Sequence, residues 1–396
     1  MKLVTFAALP FITSKLTVSD FGLYGIFLVN FVVIAALFVS ILNNYILVGF
    51  FNEGLMRVLL KLKSACFFCL LFTLAGLLIA LFFIYLDIGS SYSFAFILAL
   101  LACLVSLPWQ IYLAIMQCQK NFLFYSRAVF IYLIFYCALF ALTLMEKELT
   151  WIDFSILYIL SNLFISIYIL FKERHIFNKI YTAKMFGFKL YSNHFITLLP
   201  NSLFSWARVN IDKYFVAFFM GNALLGVYSL GFQIGSAIGL INAVVLKVIN
   251  PYLFSSFSGV SNKNLTRNLF LTMLFMCFSV VIYISIIPVI VDNLFSVNYK
   301  DSIYVAQIIA IGYLLQAVTS IFSAALFYEK RNKLISALSF ISFLAVSIAF
   351  TIIKMSGIYD LKVISIIFTL VWGVHFIFVL FYAFQTNAFK RVLNGN

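Results

Sequence analysis

The chain has 396 residues, 65% hydrophobic and only 10% charged, with a mean hydropathy of +1.13 and 49 phenylalanines. No core of that size could hide so much apolar surface, which excludes a soluble globule and implies a polytopic membrane protein. The net charge of +14 suggests a nucleic-acid partner until its distribution is considered. With both termini cytoplasmic, 19 of the 26 Lys and Arg fall on inner connections and 5 on outer ones, the positive-inside pattern of a membrane protein.

Only 14 residues precede Lys15, Lys2 and Pro10 among them, which is short for a crossing. No small-residue cleavage site follows, so a first helix shortened at its N-terminus is favoured over a signal peptide. Charge-free runs then recur at 21–52, 64–86, 88–119, 128–145 and 154–171, most of them near the roughly 20 residues of a spanning helix. Their polar content is small: Gln110 and Gln117 lie in the fourth span, and Arg127 opens the fifth. Cys66 and Cys69 form a C-x-x-C inside an apolar helix, without the context of a redox motif, so packing accounts for them. Six cysteines and three histidines (His175, His194, His375) give neither a disulfide framework nor a metal site.

A basic linker, 172–189, carries Lys172, Arg174, Lys179, Lys184 and Lys189 and reads as an orientation signal beside anionic headgroups. It divides six spans from six, an N-terminal lobe of 1–171 and a C-terminal lobe of 190–396. The seventh span, 195–220, holds Arg208, Asp212 and Lys213. An ionic group at the centre of a membrane helix costs roughly 2.5–3.5 kcal/mol, so it faces a partner or a wet cavity. His194, Asn201, Ser205, Arg208 and Asp212 share one helical face. Arg208 and Asp212 stand four apart, within reach of an intrahelical ion pair, and Lys213 is left unbalanced. Two readings stay open, a neutralised pair that glues helices and a hydrophilic transport path. Pro200 removes a helix hydrogen bond where the polar face begins.

The eighth span places Ser229, Gln233, Ser236 and Lys247 on one face and Gly231, Gly235 and Gly239 on another. The glycine row admits a second helix at close range. Gln233 and Lys247 are candidates to face a cavity, with snorkelling as the alternative for Lys247. Spans at 268–291, 302–328, 334–353 and 363–389 follow; Gln316, Thr319 and Ser323 share a face, and His375 lies beside Trp372 in the last. His375 reads either as a hydrogen-bonded core residue or as a proton-coupling group. The runs lack the alternation of barrel strands, and lipid leaves helices as the other solution. The expectation is an all-α bundle of about twelve transmembrane helices.

Phe21-Gly22-Leu23-Tyr24 opens the second span and Leu225-Gly226-Val227-Tyr228 the eighth, 204 residues on; Gln119-Lys120-Asn121 matches Lys330-Arg331-Asn332 at 211. Such matches fit a duplicated six-helix unit, and an even helix number makes the repeats parallel, with a pseudo-twofold along the membrane normal and a central cavity. Outer connections are short, and no P-loop, nucleotide fingerprint, zinc motif or nucleophile elbow occurs. No catalytic residue, metal or cofactor is expected.

Leu199-Pro200-Asn201, Asn210-Ile211-Asp212-Lys213, the run Gly221-Asn222-Ala223-Leu224-Leu225-Gly226-Val227-Tyr228-Ser229 and Asn250-Pro251 resemble the polysaccharide-transport branch of the multidrug/oligosaccharidyl-lipid/polysaccharide exporters. Within it they are most similar to Wzx-type O-antigen flippases. Ser19-Asp20-Phe21-Gly22-Leu23-Tyr24 and Tyr328-Glu329-Lys330-Arg331-Asn332-Lys333 extend the likeness. The resemblance implies translocation of an undecaprenyl-diphosphate-linked oligosaccharide across the bacterial inner membrane by alternating access. It implies a cationic cavity built on Arg208 and Lys213, with Lys247 and Arg127, and ion coupling through Asp212 with His375. Asn201, Ser205 and Gln233 would add polar contacts to the substrate. The implied partners are the lipid-linked substrate, membrane lipids, a polysaccharide polymerase and a chain-length regulator, for a protein acting as a monomer without nucleic acid. Rivals are a drug/cation antiporter, which would need acids in the N-terminal lobe, and a membrane-embedded polymerase or acyltransferase, which would need a long outer loop.

Overall fold

The structure, a computed structural model, describes residues 2–87, 89–146, 148–182, 188–257 and 265–389, and every regular element among them is helical. That is what lipid demands, since each backbone N–H and C=O must find a partner within its own segment. The first part of the chain forms α1 (Lys2–Lys15), α2 (Val18–Ala35), α3 (Ile41–Glu53), α4 (Leu55–Tyr85), α5 (Ser90–Cys118), α6 (Phe122–Leu144), α7 (Trp151–Lys172) and α8 (Arg174–Thr182). A π turn, Ala36–Ser40, joins α2 to α3 without a break. Then come α9 (Phe188–Met220), α10 (Asn222–Phe257), α11 (Leu265–Leu294), α12 (Ser302–Tyr328), α13 (Asn332–Ser356) and α14 (Leu361–Phe384).

Among the described residues, ten helical runs are long and apolar enough to cross a membrane. The other two expected spans fall on α1, with 14 residues, and on α9. The 33 residues of α9 reach roughly 50 Å at 1.5 Å per residue, but its polar residues set it apart from the apolar runs. Leu71, Leu74, Leu78 and Phe82 of α4 and Leu274, Phe275, Phe278 and Val281 of α11 are exposed, the apolar exterior that lipid covers. Of the linker 172–189, residues 183–187 lie outside the described residues.

The chain divides into two compact units, Met1–Trp206 and Ala207–Asn396, with the boundary inside α9. In the first unit α5 is central and packs on α2, α4 and α7, while α6 packs on α7. Trp109 of α5 donates to Asn162 Oδ1 of α7 at 3.0 Å, and Ser166 of α7 donates to the Val105 carbonyl at 2.6 Å. The second unit repeats this packing: α12 is central against α10, α11 and α14, and α13 packs on α14. Thr369 of α14 donates to the Ile308 carbonyl of α12 at 2.8 Å, across the same 61-residue separation as Ser166 and Val105.

The turns after α5 and α12 are built alike. Lys120 and Lys330 both take φ +56°. Asn121 N–H donates to Met116 O at 2.9 Å and Arg331 N–H to Leu326 O at 3.0 Å, the C-terminal cap in which one residue turns left-handed. The backbone therefore pairs Lys120 with Lys330, 210 residues on, where the sequence match pairs it with Arg331. Side-chain letters drift at an exposed turn, whereas the left-handed position is set by hydrogen bonds.

The glycine row of α10 serves the contact expected of it. A Cβ on Gly231 would lie 2.6 Å from Val305 Cβ, one on Gly235 2.5 Å from the Ala306 carbonyl oxygen, and one on Gly239 2.8 Å from Tyr313 Cδ1. Small residues let membrane helices approach where lipid offers no competing hydrophobic drive. Gly235→Val should force α10 from α12 at a cost of about 1–3 kcal/mol, the range of overpacking. It is expected to lower the thermal midpoint of the purified protein in detergent, and an unchanged midpoint would contradict this packing.

Candidate functional site

In the second unit α9 brings Arg208, Asp212 and Lys213 inside, at 8%, 3% and 5% exposure. Each charge meets a different fate. Asp212 Oδ1 accepts from the Lys213 backbone N–H at 2.9 Å and from Lys213 Nζ at 3.4 Å, and Oδ2 accepts from the Tyr228 hydroxyl of α10 at 2.5 Å. Lys213 Nζ also donates to Val209 O at 3.3 Å and Asn210 Oδ1 at 3.4 Å, and it sits 3.2 Å from the centroid of the Phe232 ring. The acid and the lysine thus close on each other inside a shell of α9 and α10.

Arg208 is left outside that shell. It forms no ion pair with Asp212, although the spacing of four permits one. Its Nε and Nη1 are buried with no hydrogen-bond partner among the described residues. The guanidinium instead lies 4.3 Å from the ring centroid of Trp372 on α14. Desolvating a cation costs several kcal/mol, and a desolvated cation–π contact returns about 2 kcal/mol, so the ring offsets only part. The N–H bonds on Nε and Nη1 are left without acceptors among the described residues, and a charged donor of this kind bonds strongly to anionic oxygens.

His375 packs edge-on to Trp372, ring centroids 5.7 Å apart. Its Nδ1 lies 2.8 Å from Ser342 Oγ of α13, and that hydroxyl gives its proton to the Leu338 carbonyl at 2.8 Å.

Among the described residues the remaining expected residues make no hydrogen bond to Arg208, Asp212 or Lys213. Lys247 is exposed on α10 and Gln233 is half-buried. Asn201 and Ser205 are half-buried on the part of α9 that belongs to the first unit, and the Asn201 Oδ1 has no partner among the described residues. Arg127 is exposed at the start of α6, 5.5 Å from the Phe124 ring centroid. The His194 side chain lies outside the described residues. Tyr228 and Trp372 are site residues that sequence reasoning missed. Tyr228 stands in a quoted motif and Trp372 three residues before His375, but neither position names its partner. Among the described residues no group of three or more His, Cys, Asp or Glu could hold a metal.

No protein-family model and no curated protein sequence matches this chain. Solved structures do. The lipid II flippase MurJ in an inward closed conformation is 15% identical with a TM-score of 0.75, over 99% of this chain and 90% of that one. An inward-facing multidrug resistance MATE family transporter of the MOP superfamily is 12% identical with a TM-score of 0.69, over 97% and 94%. The chain has the fold of these membrane transporters.

The closed pair yields a stability prediction. Asp212→Asn leaves Lys213 buried without its anion and should cost about 3–5 kcal/mol. Adding Lys213→Met should recover most of that loss. Thermal melts of the two single variants and the double variant measure the coupling, and additive losses would show that the two residues do not act as a pair.

Proposed function

We propose that this chain is a flippase that carries a diphosphate-linked oligosaccharide on a polyprenyl lipid, an O-antigen-type repeat unit, across the bacterial inner membrane. The observation that carries this reading is Arg208, a buried guanidinium with two donors unused. A diphosphate supplies acceptor oxygens in pairs and the negative charge that the buried cation lacks. The fold is compatible with such cargo, since one structural neighbour is named a lipid II flippase. A cationic drug is a poor fit to the same place, because Arg208 would repel it and the Asp212 oxygens are already engaged.

Coupling to an ion gradient belongs to the same reading. Asp212, held by Lys213 and Tyr228, and His375 are the two titratable groups of this reading, and the charge of Arg208 across Trp372 opposes a proton on His375 until an anion neutralises it. Lys213 orders the acid, and Arg208 takes the phosphate.

Arg208→Gln keeps much of the volume and the polarity while removing the charge. In a strain lacking its own repeat-unit flippase, it should reduce surface polysaccharide at least tenfold at normal membrane levels of the protein. Arg208→Lys should recover part of it, as a point charge replaces a fork. Wild-type display by Arg208→Gln would overturn the assignment.

A further inference from the structure

The first unit carries a hollow unrelated to the charges of α9. Where α4 begins, α5 stops, α6 starts and α8 lies beside them, a cleft of about 290 Å³ is lined by Met56, Tyr112, Met116, Phe124, Glu173 and Lys179 among others. The helix α8 is held there by its own pattern. Ile176 and Ile180 are buried, and Lys179 Nζ reaches Met56 Sδ at 3.8 Å. Lys63 of α4 donates to the Tyr181 carbonyl at 2.8 Å, which satisfies an orphan acceptor of the last turn of α8.

A second, smaller hollow shares Tyr112, Phe124 and Glu173 with the cleft and adds Arg127 and Lys172. Both cations lie over the ring of Phe124, at 5.5 and 5.8 Å from its centroid. Glu173 is the acid of the pair of hollows, with His175 Nε2 at 3.7 Å. Against it stand Arg127, Lys172 and Lys179, so positive charge is in excess even with His175 neutral. Gln119 and Asn121 edge the cleft and can hydrogen-bond hydroxyls. Phe122 and Leu123, next to Phe124 in the chain, are exposed and offer an apolar way out.

We propose that this cleft binds the headgroup of an anionic phospholipid of the phosphatidylglycerol class. Its phosphodiester lies among Lys179, Arg127 and Lys172, its hydroxyls meet Gln119, Asn121 and Glu173, and its acyl chains leave over Phe122 and Leu123. Cations beside an apolar surface attract such lipids by charge and by burial together. A soluble phosphate would have no use for the apolar exit. The assignment does not depend on Arg208.

The test is native mass spectrometry of the delipidated full chain in detergent, titrated with phosphatidylglycerol or phosphatidylcholine. Wild type should retain one phosphatidylglycerol at concentrations where phosphatidylcholine is lost. The triple variant Arg127→Gln, Lys172→Gln, Lys179→Gln should retain at least tenfold less, and Lys179→Glu alone should also lose retention, which covers the case in which the triple variant fails to fold. Arg208→Gln, and a triple removing equal charge from the second unit (Arg267→Gln, Lys330→Gln, Lys333→Gln), should retain the lipid like wild type. Normal retention by the first-unit variants, equal loss in the second-unit triple, or equal binding of phosphatidylcholine overturns the proposal. So does displacement by millimolar glycerol 1-phosphate, which would make this a site for soluble phosphates.

Discussion

Taking Arg208 out of water costs several kcal/mol unless its N–H groups find acceptors, and those on Nε and Nη1 find none among the described residues. The neighbouring charges could have supplied one. Asp212 is a turn away on the same helix, yet its oxygens are held by Lys213 and Tyr228. A carboxylate committed to one cation is a weak partner for another, so closing the Asp212–Lys213 pair keeps Arg208 open. Under the proposed function an anionic ligand completes the set, and Lys213, already engaged with Asp212, does not.

Helix packing sets this division. The glycines of α10 bring it against α12, and the same helix supplies Tyr228 to Asp212 and Phe232 to Lys213. Phe232 is braced by Tyr313 of α12 and Phe368 of α14, at 6.1 and 5.5 Å between ring centroids. The aromatic seat of the lysine therefore rests on the close approach that the glycines allow. Trp372, the seat of the arginine, belongs to α14, which packs on the same central α12. Both cations are positioned by one three-helix contact.

Hydropathy makes the helices readable in the sequence because lipid imposes one solution on the backbone, and the Gly231, Gly235 and Gly239 row announces its contact because spacing alone puts it on one face. The charges of α9 stand out for the same reason, as exceptions to an apolar rule. What a side chain meets is another matter. A spacing of four permits Arg208 to pair with Asp212, but Asp212 instead uses its own neighbour and a tyrosine 16 residues away. Nothing local to Tyr228 or Trp372 distinguishes an aromatic that holds a charge from one that fills a core. Lys247 shares a wheel position with the buried Ser229, yet Ile241, Val244 and Val248 around it are exposed as well, so this end of α10 lies at the surface whatever the residue type.

The likeness between the two units gives an internal comparison for the charges. At the 204-residue offset of the opening motif, Asp212 and Lys213 correspond to Ala8 and Leu9, both buried, and Tyr228 corresponds to Tyr24. Contacts follow suit: Phe11 of α1 meets Phe140 of α6, and Phe215 of α9 meets Phe350 of α13. Tyr24 packs among Phe27 and Phe154, ring centroids 5.9 and 6.1 Å away, where Tyr228 donates to an acid. At the 210-residue offset set by the turns, Trp372 and His375 correspond to Asn162 and Ile165, again buried in the first unit. The same helices thus pack with apolar residues at three of these positions, so the fold has no need of the ion pair or the histidine. Burying them brings a desolvation cost that the first unit avoids, and the proposed function accounts for that cost by giving the second unit a charged ligand to hold.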